Sequence, residues 1–250
     1  MKHRLLILGV ALTLAFSSAA CTKLQARDNL NKGVRAFKLG NFEEAAKLFK
    51  TAIELDPSLD VAEVYLATAY YKQYEKDSDE TAAKNAIETF EKVLEKNPTD
   101  GDAVAGIAGV YSKMNRYDKA RDYYLKQTQL KADDATAFYA VASLDWKMAS
   151  PQSGTYSVES EDAPSKERQT EWIDEGLQFV DKALAINPDY EDAQTFKNLL
   201  FREKARLAED GSPEQAAFIK QADEWFEKAI ETRKKNAEKN KALGIVVGGQ

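Results

Sequence analysis

The chain has 250 residues, 44% of them hydrophobic and 30% charged, a balance too apolar for an intrinsically disordered chain. Twelve glycines and six prolines are too few for a turn-rich all-β fold. Lys and Arg number 35 against 41 Asp and Glu, a net charge of −6, so duplex nucleic acid is a poor default partner, because phosphate binding needs a cationic face.

The chain opens with Lys2, His3 and Arg4. An apolar run from Leu5 to Phe16 follows, then Ser17, Ser18, Ala19, Ala20 and Cys21, the only cysteine. This is the three-part pattern of a secretory signal, and its apolar run is shorter than the roughly 20 residues that span a bilayer. Ser18-Ala19-Ala20-Cys21 resembles the lipobox of bacterial lipoproteins, with Ser18 where that family prefers Leu. The resemblance implies a signal peptide over 1–20, cleavage before Cys21 and lipidation there, with a short tether over 21–25. A lone cysteine also has no partner for an intramolecular disulfide. Thr22 in place of Asp implies, by the same resemblance, outer-membrane sorting within a bacterial cell envelope, facing the periplasm.

Cleavage would remove Lys2, Arg4 and the only histidine, leaving 33 basic and 41 acidic side chains, or −8. Without imidazole, Ser–His and Cys–His nucleophilic sites and the common zinc sites are excluded. No HExxH, GxxxxGK[ST] or GxGxxG motif occurs. The expectation is a non-enzymatic protein with no cofactor and no metal. A carboxylate-based hydrolase is the minor alternative, requiring two acids about 5–9.5 Å apart across a cleft.

Internal similarity dominates the remainder. Gly33, Ala67, Ala108 and Ala142 are small residues at intervals of 34, 41 and 34, and Lys38, Lys72, Lys113 and Lys147 keep the same rhythm. Leu55-Asp56-Pro57, Lys96-Asn97-Pro98 and Ile186-Asn187-Pro188 mark the ends of units. These residues resemble the tetratricopeptide repeat (TPR), a pair of antiparallel helices per unit. The resemblance implies an all-α fold, a right-handed superhelical solenoid of about five antiparallel helix pairs over 26–235. Its units are about 26–59, 60–100, 101–134, 135–189 and 190–235. In the first, Gly33 is the close-packed point, Gly40-Asn41-Phe42 the turn, and Ala45, Phe49 and Ala52 the lining of the second helix. The second unit carries its extra residues near Gln73 to Thr81. All six prolines fall outside helix interiors in this reading, where each would cost about 3 kcal/mol.

Ser150 to Lys166 is polar and lacks helical periodicity, so the sequence predicts a surface loop inserted between the two helices of the fourth unit. A basic, flexible tail is expected over 236–250; its β-prone Ile245–Val247 reads as frayed, with strand addition to a partner as the alternative. In the repeat family the first helices line a concave groove. The residues expected there are Asn31, Lys38, Tyr65, Tyr71, Lys72, Lys113, Tyr139, Trp146, Lys147 and Arg202, and Tyr, Trp and Arg are the usual interface anchors. The carboxylate clamp of the family's chaperone-binding members is absent, since Leu30, Val34 and Gly106 stand at clamp positions. The expected function is a lipid-anchored scaffold that grips another envelope protein or peptide segment. A self-associating structural lipoprotein is the alternative.

Overall fold

A computed structural model describes residues 21–157, 160 and 163–243, and every regular element among them is helical. Residues 21–38 form α1. It is followed by α2 (Phe42–Leu55), α3 (Asp60–Asp77), α4 (Glu80–Lys96), α5 (Gly101–Lys113), α6 (Tyr117–Leu130) and α7 (Ala135–Ala149). A 3-10 turn at Pro151–Ser153 precedes α8 (Lys166–Ile186), α9 (Glu191–Leu207) and α10 (Pro213–Ala242). The expected signal peptide over 1–20 and the Ile245–Val247 run lie outside the described residues. No described helix is long and apolar enough to cross a membrane.

The chain divides into two compact units between Met114 and Asn115. In the first, Leu30, Val34 and Phe37 of α1 pack on a core of Ala45, Phe49, Leu66 and Ala69. Helices α2 to α5 then pack each on the next, and α3 also touches α5. In the second, α6 to α10 pack in the same sequential way, and α7 also touches α9. Contact between successive helices, and also between alternate ones, is the signature of stacked helix pairs. No single pair can bury its apolar face alone.

The unit ends share one local mechanism. The residue before each proline turns its side-chain oxygen onto the residue after it, an Asx turn that stops the helix. Asp56 Oδ1 accepts from the Ser58 hydroxyl at 2.6 Å and amide at 3.2 Å. Asn97 Oδ1 accepts from the Thr99 hydroxyl at 2.9 Å, and Asn187 Oδ1 from the Asp189 amide at 3.2 Å. The Ser58 hydroxyl holds the Asp56 carboxyl below the usual range. An aspartate then starts the next pair: Asp100 accepts from two amides of α5, and Asp134 from the Thr136 amide of α7. Such caps are worth about 1 kcal/mol each. Between the helices of the first pair the chain reverses at Gly40, φ 75°, a left-handed position that glycine occupies without strain.

Close approach depends on missing side chains. A Cβ on Gly33 would lie 2.5 Å from the Phe49 ring, and one on Gly106 2.3 Å from the Phe90 ring. Two boundaries differ from the sequence expectation, at the two ends of the described chain, while α3 takes up the extra residues expected near Gln73 to Thr81. Residues 21–25 are helical rather than a tether, because no breaker separates them from the amphipathic run that follows. Helix α3 ends at Asp77 with Ser78 in a left-handed cap. Helix α10 continues to Ala242 through the start of the expected tail, since Asn236 to Ala242 includes no glycine or proline.

Candidate functional site

The open faces are built from the first helix of each pair. On α3, Val61, Tyr65, Thr68 and Lys72 recur at helical spacing on one side. Val61 and Tyr65 are 48% and 37% exposed, although both are large and apolar-bodied. The Tyr65 ring lies stacked 5.4 Å from Phe49, so a core residue fixes its orientation. Lys72 pairs with Glu75 at 2.5 Å and lies 5.5 Å from the Tyr71 ring centroid. On α1, Asn31 and Lys38 are exposed, as is Lys113 in the last turn of α5. A cation there also complements the helix macrodipole.

The second unit repeats the theme on α7. Thr136, Ala140, Ser143 and Lys147 share one side of that helix. Lys147 Nζ lies 5.7 Å over the ring of Tyr117. Tyr139 and Trp146 flank this stripe and interlock with α9. Tyr139 meets Tyr190 at 5.1 Å and Phe196 at 5.3 Å, and Trp146 meets Phe196 edge-on at 5.5 Å. Burial, with Asp192 nearby, pushes the Tyr139 hydroxyl up to about 12. The Trp146 indole nitrogen is buried without a hydrogen-bond partner.

The structure therefore sorts the ten candidates. Lys72 and Tyr65 share an open face, and Lys147 stands on another. Tyr71 fills the seam between first helices, its hydroxyl 3.0 Å from where a Gly109 Cβ would lie. Trp146 and Tyr139 fill the corresponding seam between α7 and α9. Arg202 stays half-exposed on the surface, where its Nε donates to Asn198 Oδ1 at 2.9 Å and its Nη2 to Asp223 Oδ1 at 3.0 Å. Leu30 and Val34 pack against the core, in keeping with the missing clamp.

Two polar networks in the second unit escaped the sequence reading. Asp145 is fully buried and accepts from Arg121 Nε at 2.7 Å, while Arg121 also bridges to Glu175. Burial, outweighing Arg121, pushes the Asp145 carboxyl up to about 6; Glu175 raises it further and Arg168 opposes. A raised acid holds its proton more tightly folded than unfolded. Its contribution is therefore greatest at low pH and is lost as pH climbs from about 4 to about 6. The swing is on the order of 3 kcal/mol, about 1.4 per unit. Asp145→Asn is expected to flatten this part of the pH–stability curve, read by tryptophan fluorescence during urea unfolding. An unchanged slope would show that folding leaves the Asp145 carboxyl at its unfolded-chain value.

The second network ties down the insertion. Glu203, 2% exposed, accepts from Ser150 Oγ at 2.6 Å and from Arg206 Nε at 2.6 Å. Arg206 Nη2 donates to Gln169 Oε1 at 2.6 Å, and Gln169 Nε2 to the Pro164 carbonyl at 2.7 Å. Tyr156 caps the Ala149 carbonyl at 2.6 Å. Both ends of the insertion are thus fastened to α9. A cleft of about 610 Å³ opens beside it, walled by Tyr117, Met148, Tyr156 and Trp172 and bordered by Arg116 and Lys119.

Sequence models of the tetratricopeptide repeat match residues 26–59 and 79–144, so the chain carries these repeats in both units. Among known proteins it is similar to the mitochondrial import receptor subunit TOM70 of Rattus norvegicus, 24% identical over 159 residues. That match covers 63% of this chain and 22% of the rat protein. Tetratricopeptide repeat protein 8 of Mus musculus is 31% identical over 108 residues, 43% of this chain and 19% of that one. The chain thus spans about a fifth of the length of these relatives. Among solved structures, MamA of Desulfovibrio magneticus RS-1 superposes with a TM-score of 0.59 at 18% identity, covering 84% of this chain and 96% of that one. YrrB, described as a TPR protein with an unusual peptide-binding site, superposes with a TM-score of 0.53 at 18% identity over 88% and 98%. At such identity the likeness establishes the fold, which is that of TPR solenoid proteins.

Proposed function

We propose that the protein is a non-catalytic, lipid-anchored scaffold that binds another protein of the bacterial cell envelope through the open faces of its first helices. The observation that carries this reading is the exposure of Val61 and Tyr65 beside Lys72 on α3. A solvated helix face has no use for two large apolar side chains, whereas a peptide-binding face does. Lys72 and Lys147 would attract acidic side chains of the partner despite the negative total. Similarity to a receptor subunit and to a protein with a peptide-binding site supports protein recognition as the general activity. The anchor rests on the sequence alone: Ser18-Ala19-Ala20-Cys21 with Thr22 points to acylation of Cys21 and outer-membrane residence facing the periplasm. Tethering would raise the local concentration of the scaffold at a surface.

Crosslinking in intact cells followed by mass spectrometry tests the binding half. Lys72→Glu with Lys147→Glu is expected to reduce recovery of the principal partner about tenfold, and undiminished recovery would refute the assigned faces. Radiolabelled palmitate tests the other half. Label should enter the wild type and be lost in Cys21→Ser, and an unlabelled wild type would end the anchored reading alone.

A further inference from the structure

Helix α10 carries an apolar stripe that α9 does not use. Towards α9 it buries Ala222, Ala229 and Thr232, and its Arg233 and Lys235 reach Glu191 and Asp189 at 2.6 and 2.7 Å. On the flank beside that buried face Ile219 and Phe226 are 43% and 45% exposed. Ile230, four residues beyond Phe226, continues the stripe along a shallow groove of about 800 Å³. Among the described residues α9 is the helix that packs extensively on α10. The 30 residues of α10 also outrun the 17 of α9.

Charge is segregated along this helix. Residues 213–227 hold four acids and one lysine, whereas 228–242 hold two acids and six cations, four of them besides the Arg233 and Lys235 already paired within the chain. We infer that α10 is a self-association surface, pairing antiparallel with α10 of a second copy. In that orientation each acidic half lies along a basic half, and the two stripes meet about a twofold axis, the usual symmetry of such contacts. A parallel pairing would set like charge against like. A second copy is also a partner that brings a helix of the same length and complementary polarity. A helix of 30 residues is about 45 Å long and about 10 Å wide. One face then covers about 450 Å² per copy, or about 900 Å² in total, below the range of stable interfaces. A contact of this size suits a reversible dimer, and confinement on a membrane would favour it.

Sedimentation equilibrium of the full chain in density-matched detergent reads this directly. The wild type should pass from one to two chains per particle as concentration rises. Ile219→Glu with Phe226→Glu should weaken association at least tenfold while circular dichroism stays unchanged. Glu214→Lys with Glu224→Lys should also weaken it about tenfold, and adding Lys234→Glu with Lys241→Glu should restore it within about threefold. That rescue is specific to antiparallel pairing. A wild type that stays at one chain into the high micromolar range overturns the inference. So does equal association by the Ile219/Phe226 variant, or a quadruple variant no better than the double. None of these results bears on the α3 and α7 faces, which the crosslinking test addresses separately.

Discussion

Glu203→Ala is expected to destabilise the second unit by about 3–5 kcal/mol, the cost of breaking a buried ion pair by removing one partner. The glutamate faces Ser150 and Arg206 and almost no solvent. Alanine would leave a guanidinium beside a void and a serine hydroxyl at a fully buried position without its acceptor. Because Arg206 also holds Gln169, the loss would spread to both ends of the insertion. Glu203→Gln keeps the volume and one acceptor, so its cost should be less than half as large. Trp146, Trp172 and Trp225 are the three tryptophans of the chain, so fluorescence reports on this unit alone. The alanine variant should unfold at a clearly lower urea midpoint and be cut faster between 150 and 166 by a broad-specificity protease. Equal midpoints for wild type and alanine would mean that the network contributes no net stability.

Phe49→Ala is expected to cost the first unit a similar amount, about 3–5 kcal/mol. The ring is fully buried, lies against the backbone of Gly33 and supports Tyr65. The converse change, Gly33→Val, drives methyl groups into that ring and should cost 3 kcal/mol or more, beyond ordinary overpacking. The pair provides a sharper check than either variant alone. Gly33→Ala should be markedly less damaging in a Phe49→Leu background, with a coupling of about 1–2 kcal/mol. Far-ultraviolet circular dichroism follows the change, since this unit has no tryptophan. Strict additivity of the two substitutions would place the glycine and the ring out of contact.

These two sites differ in how far the sequence betrays them. Gly33 and Phe49 sit at fixed offsets within one repeat, so the periodicity that reveals the pair of helices also reveals their contact. The same holds for the Asx–Pro phrases, whose chemistry is complete within three residues. Glu203 and Ser150 are 53 positions apart and Arg206 and Gln169 are 37 apart. Nothing in either neighbourhood marks them except a Glu–Arg spacing of three on α9, which any exposed helix also shows. Arg202 is an intermediate case. A basic residue at the groove position suggested an anchor, and its surface pairing with Asp223 on the next helix, 21 positions away, had no mark in the sequence. Tyr71 and Trp146 were legible as aromatic but not as seam-filling, because the difference between open face and seam is one step of 100° around a helix. Residues 21–25 and 236–242 show the same limit at boundaries, where absence of a breaker outweighs a change in composition.

Photocrosslinking from single positions tests the proposed role of the first helices most directly. A photoreactive amino acid would replace Tyr65 or Ser143 on the open faces of α3 and α7, or Lys92 or Lys126 on the exposed sides of α4 and α6, in living cells. Discrete adducts with one partner are expected from Tyr65 and Ser143, and background labelling from Lys92 and Lys126. Adducts from the second-helix positions alone, equal adducts from all four, or none from Tyr65 and Ser143 would contradict that role of the first helices.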